Sequence, residues 1–248
     1  MKLSVKCNVE AYLKGLIFGA VMSMNAGVMA MDSNEDFPIV QSSFQASKYE
    51  RVLMTQLRDQ KSPTEKFREA ANRLTELLVH RVIECLPTFP VNIETPIEPF
   101  QGERLVGNVE FVSIMRSGDA LLDTFSKHFP DSVINKILVQ RNEETAEPEF
   151  KYMKLSPTIA KCNTVVITEP MIATGGTLIM VIGLLKEKGV AEENIIVASV
   201  LAAPEGLIVL NQLFPRIKVV VTAIDEKLND KKFIVPGLGD FGNRYFGT

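Results

Sequence analysis

A chain of 248 residues with 46% hydrophobic content and a formal net charge of −3 carries enough apolar material for a sizeable core, in one elaborated domain or two. A sequence pI of about 5.6 and the lack of any Lys/Arg block argue against the basic face that a nucleic-acid binder needs. Cys7, Cys85 and Cys162 form neither a CxxC pair nor a metal spacing, so isolated reduced thiols are expected. His80 and His128 are equally solitary and read as packed or surface side chains rather than ligands.

The first thirty residues stand apart. Lys2, Lys6 and Lys14 precede the apolar run "GLIFGAVMSMNAGVMA", which ends in small residues at Ala26–Ala30. That order fits a secretory signal peptide, and the run is too short and too rich in Gly and Ser to span a membrane. The alternative is a mis-called leader, with translation starting at Met31. Residues 31–47, including "DSNEDFP", read as a polar linker, and a folded domain is expected over 48–248.

Two helices are predicted next. "SKYERVLMTQLRD" has Val52, Leu53 and Leu57 near helical spacing. "SPTEKFREAANRLTELLVHRVIECL" opens on a Ser-Pro-Thr-Glu start signal, carries Phe67, Leu74, Leu77 and Leu78 on one side, and breaks at Pro87. "PTFPVNIETPIEPFQGERLVG" is expected to be extended or looped. From Asn108 the pattern alternates. "VEFVSIM" reads as a strand, "DALLDTFSKHF" as a helix and "INKILVQ" as a strand. "RNEETAEPEFKYMKL" reads as a hairpin or arm, and "TVVIT" as a strand. "TLIMVIGLLKEKG" is a helix, "NIIVASVLAA" a strand, "PEGLIVLNQLF" a helix and "IKVVVTAID" a strand. Continuous apolar strands separated by helices of about a dozen residues indicate a parallel α/β sheet covered on both faces.

In such sheets ligands bind beyond the carboxyl ends of the strands. There lies "EPMIATGGT", residues 169–177. Free N–H groups at a helix N-terminus suit a phosphate, and Gly175 and Gly176 let the backbone come close to it. Thr174 and Thr177 add hydroxyl donors. Glu169 beside a phosphate nest makes sense only if it faces the hydroxyls of the same ligand, which points to a phosphoribosyl group. A plain strand–turn–helix with an N-cap threonine is the bland alternative. Arg116 and Arg141 end neighbouring predicted strands on this ligand face, where their charge suits a diphosphate. "FIVPGLGDFGNRYFGT" makes a poor helix or strand. It is expected to lay its backbone against a planar ligand edge, with Asp240 left over for a cation or hydroxyl.

"TEPMIATGGT", "VQRNEETAEP", "LAAPEG" and "VPGLGDFGNRYFGT" together resemble the uracil phosphoribosyltransferase family, from about Lys48 to the end. The resemblance implies a parallel-sheet type I phosphoribosyltransferase fold with a β-arm and a C-terminal hood segment. It implies conversion of uracil and 5-phosphoribosyl 1-diphosphate to UMP and diphosphate, a pyrimidine salvage step. Mg²⁺ would be bound mainly through the substrate diphosphate. By position, Glu169 would hold the ribose hydroxyls. Pro170, Met171, Ile172 and Asp240 would also bind the sugar diphosphate, and Ala173, Thr174, Gly175, Gly176 and Thr177 would cradle its 5-phosphate. Arg116 and Arg141 would bind the diphosphate. Ile234, Gly239, Asp240 and Phe241 would read uracil, with Asp240 and Arg141 as the catalytic pair.

The family has aspartate where Glu169 and Asn243 stand, and tyrosine at Phe233. Asn243 and Phe233 are expected to be peripheral, and Asp119 is expected close enough to Arg116 to compete for it. The resemblance further implies a homodimer or homotetramer, no nucleic-acid or membrane partner, and a cytoplasmic site where the donor is made, unless the leader exports the chain; GTP activation, seen in some relatives, is not fixed by it. A catalytically weakened relative, binding uracil or nucleotide as a sensor or partner protein, is the second reading. An RNA-binding regulator is disfavoured by the acid pI, and a purine-specific enzyme by "VPGLGDFG".

Overall fold

The computed structural model describes residues 39–40, 46–140 and 148–248, together with the backbone of Arg141. The leader, most of the linker, Cys7 and the arm residues 142–147 lie outside the described residues.

Helix α1, Lys48–Arg58, begins at a capping box in which Ser47 and Glu50 satisfy each other's backbone N–H groups. It buries Leu53, Met54 and Leu57, whereas Val52 is turned out and 53% exposed, because three consecutive helical positions cannot all face one core. Helix α2, Thr64–Ile83, starts at Pro63 and stops before Pro87, earlier than its apolar run suggests. Phe67, Leu74 and Leu78 are buried as expected, and Leu77 only partly.

The Pro-rich segment is neither loose nor irregular. It forms an antiparallel hairpin, β1 Thr88–Glu94 and β2 Pro99–Leu105, in which no residue is buried. Thr95 turns the corner, its hydroxyl accepting from the Ile97 and Glu98 N–H groups and donating to the Glu98 carbonyl.

The central sheet contains β3 Val109–Met115, β4 Val133–Arg141, β5 Pro148–Lys154, β6 Thr164–Thr168, β7 Met171–Ile172, β8 Ile195–Ala202 and β9 Lys218–Ile224. Its spatial order is β5-β4-β3-β6-β8-β9, with β7 continuing the β6 side of β8. All pairs are parallel except β4 with β5, the base of the predicted arm. Ile39 and Val40 are buried beside β9, where the Ile39 carbonyl accepts from Val219 at 2.7 Å.

Alternate residues of each strand serve two cores. Phe111, Val166 and Ala198 face α1, α2 and α3 (Gly118–His128), together with the short terminal helix α6 (Phe241–Phe246). Val112, Val165, Ile167 and Val197 face α4 (Gly176–Glu187) and α5 (Pro204–Leu213). The continuous apolar strands therefore carry the two-sided burial that their composition implied. Among the described residues, no helix is long and apolar enough to cross a membrane.

The tail departs from expectation. Residues read as a poor helix or strand form a two-residue strand β11, Ile234–Val235, paired with β10, Lys227–Leu228, and then α6. Asp240 explains the helix: its Oδ1 accepts the Asn243 N–H at 2.7 Å, a side-chain N-cap.

Candidate active site

Strand β8 is paired along one side by β6 and then by β7, and Glu169 and Pro170 occupy the break between them. The chain is held through that break. The Glu169 N–H donates to Ala198 O at 3.2 Å, and Pro170 O accepts from Val200 and Leu201, both at 3.0 Å. The loop then runs past β7 into α4. Gly175, at φ 79°, is the N-cap, so no threonine caps this helix. Thr174 instead accepts from the Gly176 N–H at 3.4 Å through its hydroxyl. A side chain at Gly206, the start of α5, would run into the Ala173 carbonyl. That glycine lets α5 press the loop into shape.

Two cavities meet here. One, of about 190 Å³, is lined by Pro148, Glu169 and Met171 to Leu178. The other, of about 440 Å³, lies under the hood of β10, β11 and the start of α6, and includes Ser117, Ile234, Gly239, Asp240 and Phe241. Glu169, Met171 and Ala173 line both. The first cavity opens on the first turn of α4, whose N–H groups have no intrahelical acceptor and carry the positive end of the helix dipole. It suits a compact anion. The second combines buried Ile234, Leu238 and Phe241 with backbone amides, which suits a flat, partly polar ring.

Glu169, 8% exposed, sits in the shared wall. The Ser117 hydroxyl donates to its Oε1 at 3.4 Å. Burial pushes its carboxyl up to about 8, against the opposing pull of the Met171 N–H and Ser117. The ligand-free fold therefore favours its neutral form. Ser117 gave no signal in the sequence beyond following Arg116. Gly118 behind it lets α3 approach, because a Cβ there would strike the Thr168 carbonyl.

The structure brings together Glu169, Met171 to Thr177, Ile234 and Gly239 to Phe241. Pro170 is buried and acts through its carbonyl. Arg116 ends β3 but lines neither cavity. Its guanidinium donates to Asn243 Oδ1 at 3.1 Å and Thr248 Oγ1 at 3.4 Å and lies over the Phe246 ring. Asn243 is thus Arg116's partner rather than peripheral, and Asp119 does not compete. Asp119 is paired with Lys136 and Ser113, one turn further into α3. Arg141 ends β4 opposite Pro148, which lines the smaller cavity. Phe233 lines the hood cavity and is half exposed, so it too belongs to the site. Cys85 and Cys162 are free thiols, and His80 and His128 pack edge to face on the α2–α3 surface, where His128 meets Glu76 at 2.6 Å.

A largely parallel sheet with a glycine loop leading into a helix, an acid at the loop's mouth and a hood over it has the type I phosphoribosyltransferase fold. Similarity narrows the class. The profile described as "Uracil phosphoribosyltransferase" matches residues 45–248. The uracil phosphoribosyltransferase of Dictyostelium discoideum is 42% identical over 200 residues, covering 79% of this chain and 91% of that protein. That of Campylobacter concisus is 40% identical over 195 residues, covering 79% and 92%. The solved structure of a protein from Aquifex aeolicus superposes with a TM-score of 0.72 at 28% identity, covering 82% of this chain and 97% of that one. This chain belongs to the uracil phosphoribosyltransferase family.

Proposed function

We propose that the chain transfers the phosphoribosyl group of 5-phosphoribosyl 1-diphosphate to uracil, giving UMP and diphosphate. The observation that carries this is the shared wall: one acid, Glu169, separates an anion nest from a hood cavity sized for a base. A phosphate on the first turn of α4 places a ribose against Glu169, whose carboxylate accepts its hydroxyls. The reacting carbon then faces the hood.

The C1–oxygen bond breaks and its electron pair leaves with the diphosphate, through an oxocarbenium-like centre. Uracil N1 forms the new bond from the opposite face and sheds its proton, which ends on the departing diphosphate. Arg116 and Arg141, at the ends of neighbouring strands, take up the charge growing on the leaving group. Asn243 is neutral, so it orients Arg116 without cancelling its charge. One such electrostatic contact is worth on the order of 10²–10³ in rate. The backbone at Ile234 and Gly239 to Phe241 orients the base.

Among the described residues no group of three or more His, Cys, Asp or Glu could hold a metal. That donor set fits Mg²⁺ only as an ion carried by the substrate's diphosphate, with the exposed Asp240 carboxylate as its protein contact. When bound, such an ion neutralises the leaving diphosphate. The donor is made in the cytoplasm, and the proposed activity belongs there.

A second reading, binding without turnover, draws on the buried Glu169, whose neutral form the fold favours. Incubating the purified chain with labelled uracil, the sugar diphosphate and magnesium separates the two. Labelled UMP supports transfer. Saturable uracil binding with no UMP supports the sensor, and Glu169→Asp should then raise the rate.

A further inference from the structure

The hood is held by more than its own β10–β11 pairing. Arg58, in the last turn of α1, reaches across to it. Its Nη1 donates to the Gly237 carbonyl and to Asp225 Oδ2, both at 2.8 Å, and its Nη2 donates to Asp225 Oδ1 at 2.5 Å. The Gly237 N–H closes the ring on the same Asp225 Oδ2 at 2.7 Å. Asp225 follows β9, and its side chain is only 4% exposed. Arg244, in α6, reaches back the other way. It donates to Leu238 O at 2.6 Å, to Asp59 O at 2.6 Å and to Leu57 O, with its guanidinium 4.4 Å from the Phe67 ring. Carbonyls at the end of a helix lack intrahelical donors, so the end of α1 is a natural anchor for a cation.

The consequence lies in the peptide planes. In a trans peptide the C=O and the following N–H point in opposite directions. With the Gly237 carbonyl drawn onto Arg58, the Leu238 N–H points away from it. With the Leu238 carbonyl drawn onto Arg244, the Gly239 N–H does the same. Leu238 and Gly239 both line the hood cavity, and neither N–H has an acceptor among the described residues. Two successive donors are thus left unpaired beside a ring-sized cavity, which suits a carbonyl oxygen of the base.

We infer that Arg58 and Arg244 are positioning residues for base recognition. They clamp Gly237 and Leu238 to the end of α1 and thereby aim the Leu238 and Gly239 amides at the base. This rests on the uracil reading above. It makes α1, outside the sheet and distant in sequence, part of the specificity apparatus.

The test compares the full chain with Arg244→Met, Arg244→Lys, Arg58→Met and Arg58→Lys. Uracil KM and kcat come from UMP formation, and sugar-diphosphate affinity from calorimetry without uracil. Arg58→Met leaves the buried Asp225 carboxylate unpaired and destabilises the fold. The Arg244 variants lose contacts to carbonyls and to the Phe67 ring, strand no buried charge, and carry the test. The expected result is a rise in uracil KM on the order of ten- to a hundred-fold in Arg244→Met. Arg244→Lys should recover part of it, since an ammonium lacks the planar fork that spans several acceptors. Sugar-diphosphate affinity should not move. A wild-type chain that turns over while Arg244→Met keeps its uracil KM, or loses donor affinity equally, overturns the clamp. A wild-type chain that neither makes UMP nor binds uracil overturns the uracil reading itself.

Discussion

Glu169 offers the sharpest perturbation, because one buried group links pH to donor binding. Folding raises its pKa from 4.5 to about 8. For an acid raised in this way the neutral form is the favoured one. The fold gains most below the unfolded value and loses that advantage as pH climbs through about 8. If the ribose hydroxyls need the carboxylate, the donor must first drive off the proton. At pH 7 that costs affinity by a factor of ~10, and at pH 6 by a factor of ~100. Donor Kd should therefore fall about tenfold per pH unit from 6 to 8 and then level off. The donor's own phosphate loses its last proton near pH ~6, so a control is needed. Glu169→Gln keeps the size and burial but cannot ionise. Calorimetry with the sugar diphosphate between about pH 7 and 9 should give a slope in the native chain and none in this variant. Above about pH 8 the variant should bind about ten- to a hundred-fold more weakly, the worth of hydrogen bonds to a charged acceptor. A flat native profile, or the same slope in both proteins, would refute the reasoning.

Three other outcomes are expected. A Cβ at Gly176 would lie 3.6 Å from Pro148 and Thr174 atoms, ordinary contact inside the anion cavity. Gly176→Ala should keep its melting temperature yet raise donor KM about tenfold or more, read by steady-state kinetics. Glu50 both closes the α1 capping box and pairs with the partly buried Arg81 at 2.5 Å. Glu50→Ala should lose about 1–3 kcal/mol in a denaturant titration. The β1–β2 hairpin exposes Phe89, Ile93, Ile97 (90%) and Phe100 (58%), and a lone hairpin is marginal in water. Burial against a second copy would supply the missing stability. Light scattering should find an oligomer that Ile97→Lys with Phe100→Lys dissociates, while an unchanged mass would remove the hairpin from the interface.

Much of the fold was legible because two-sided burial writes itself into sequence. Strands β3, β6, β8 and β9 are nearly unbroken apolar runs, and the first three are each followed within three residues by a Gly or Pro. The anion loop was legible for a similar reason: its glycines answer a local need for close backbone approach. What stayed hidden depends on distant partners. The β1–β2 hairpin carries Pro90 and Pro99 and no buried face, so no period-2 pattern marked it. Asn243 looked peripheral because nothing near it in sequence announces Arg116, more than a hundred residues earlier. Asp119 looked threatening by proximity, yet the helical turn aims it at Lys136. Arg58, Asp225 and Arg244 resemble ordinary surface charges until the tail folds back on α1. Local chemistry was readable, and charge partners set by tertiary return of the chain were not.

The central claim is that the α4 N-terminus holds the sugar's phosphate while Glu169 holds the same sugar's hydroxyls. A crystal structure of the chain with the sugar diphosphate and magnesium measures this directly. The account predicts phosphate oxygens on the amides of Thr174 to Leu178 and both ribose hydroxyls on the Glu169 carboxylate. A phosphate bound elsewhere, or a Glu169 side chain turned from the ribose, would contradict it.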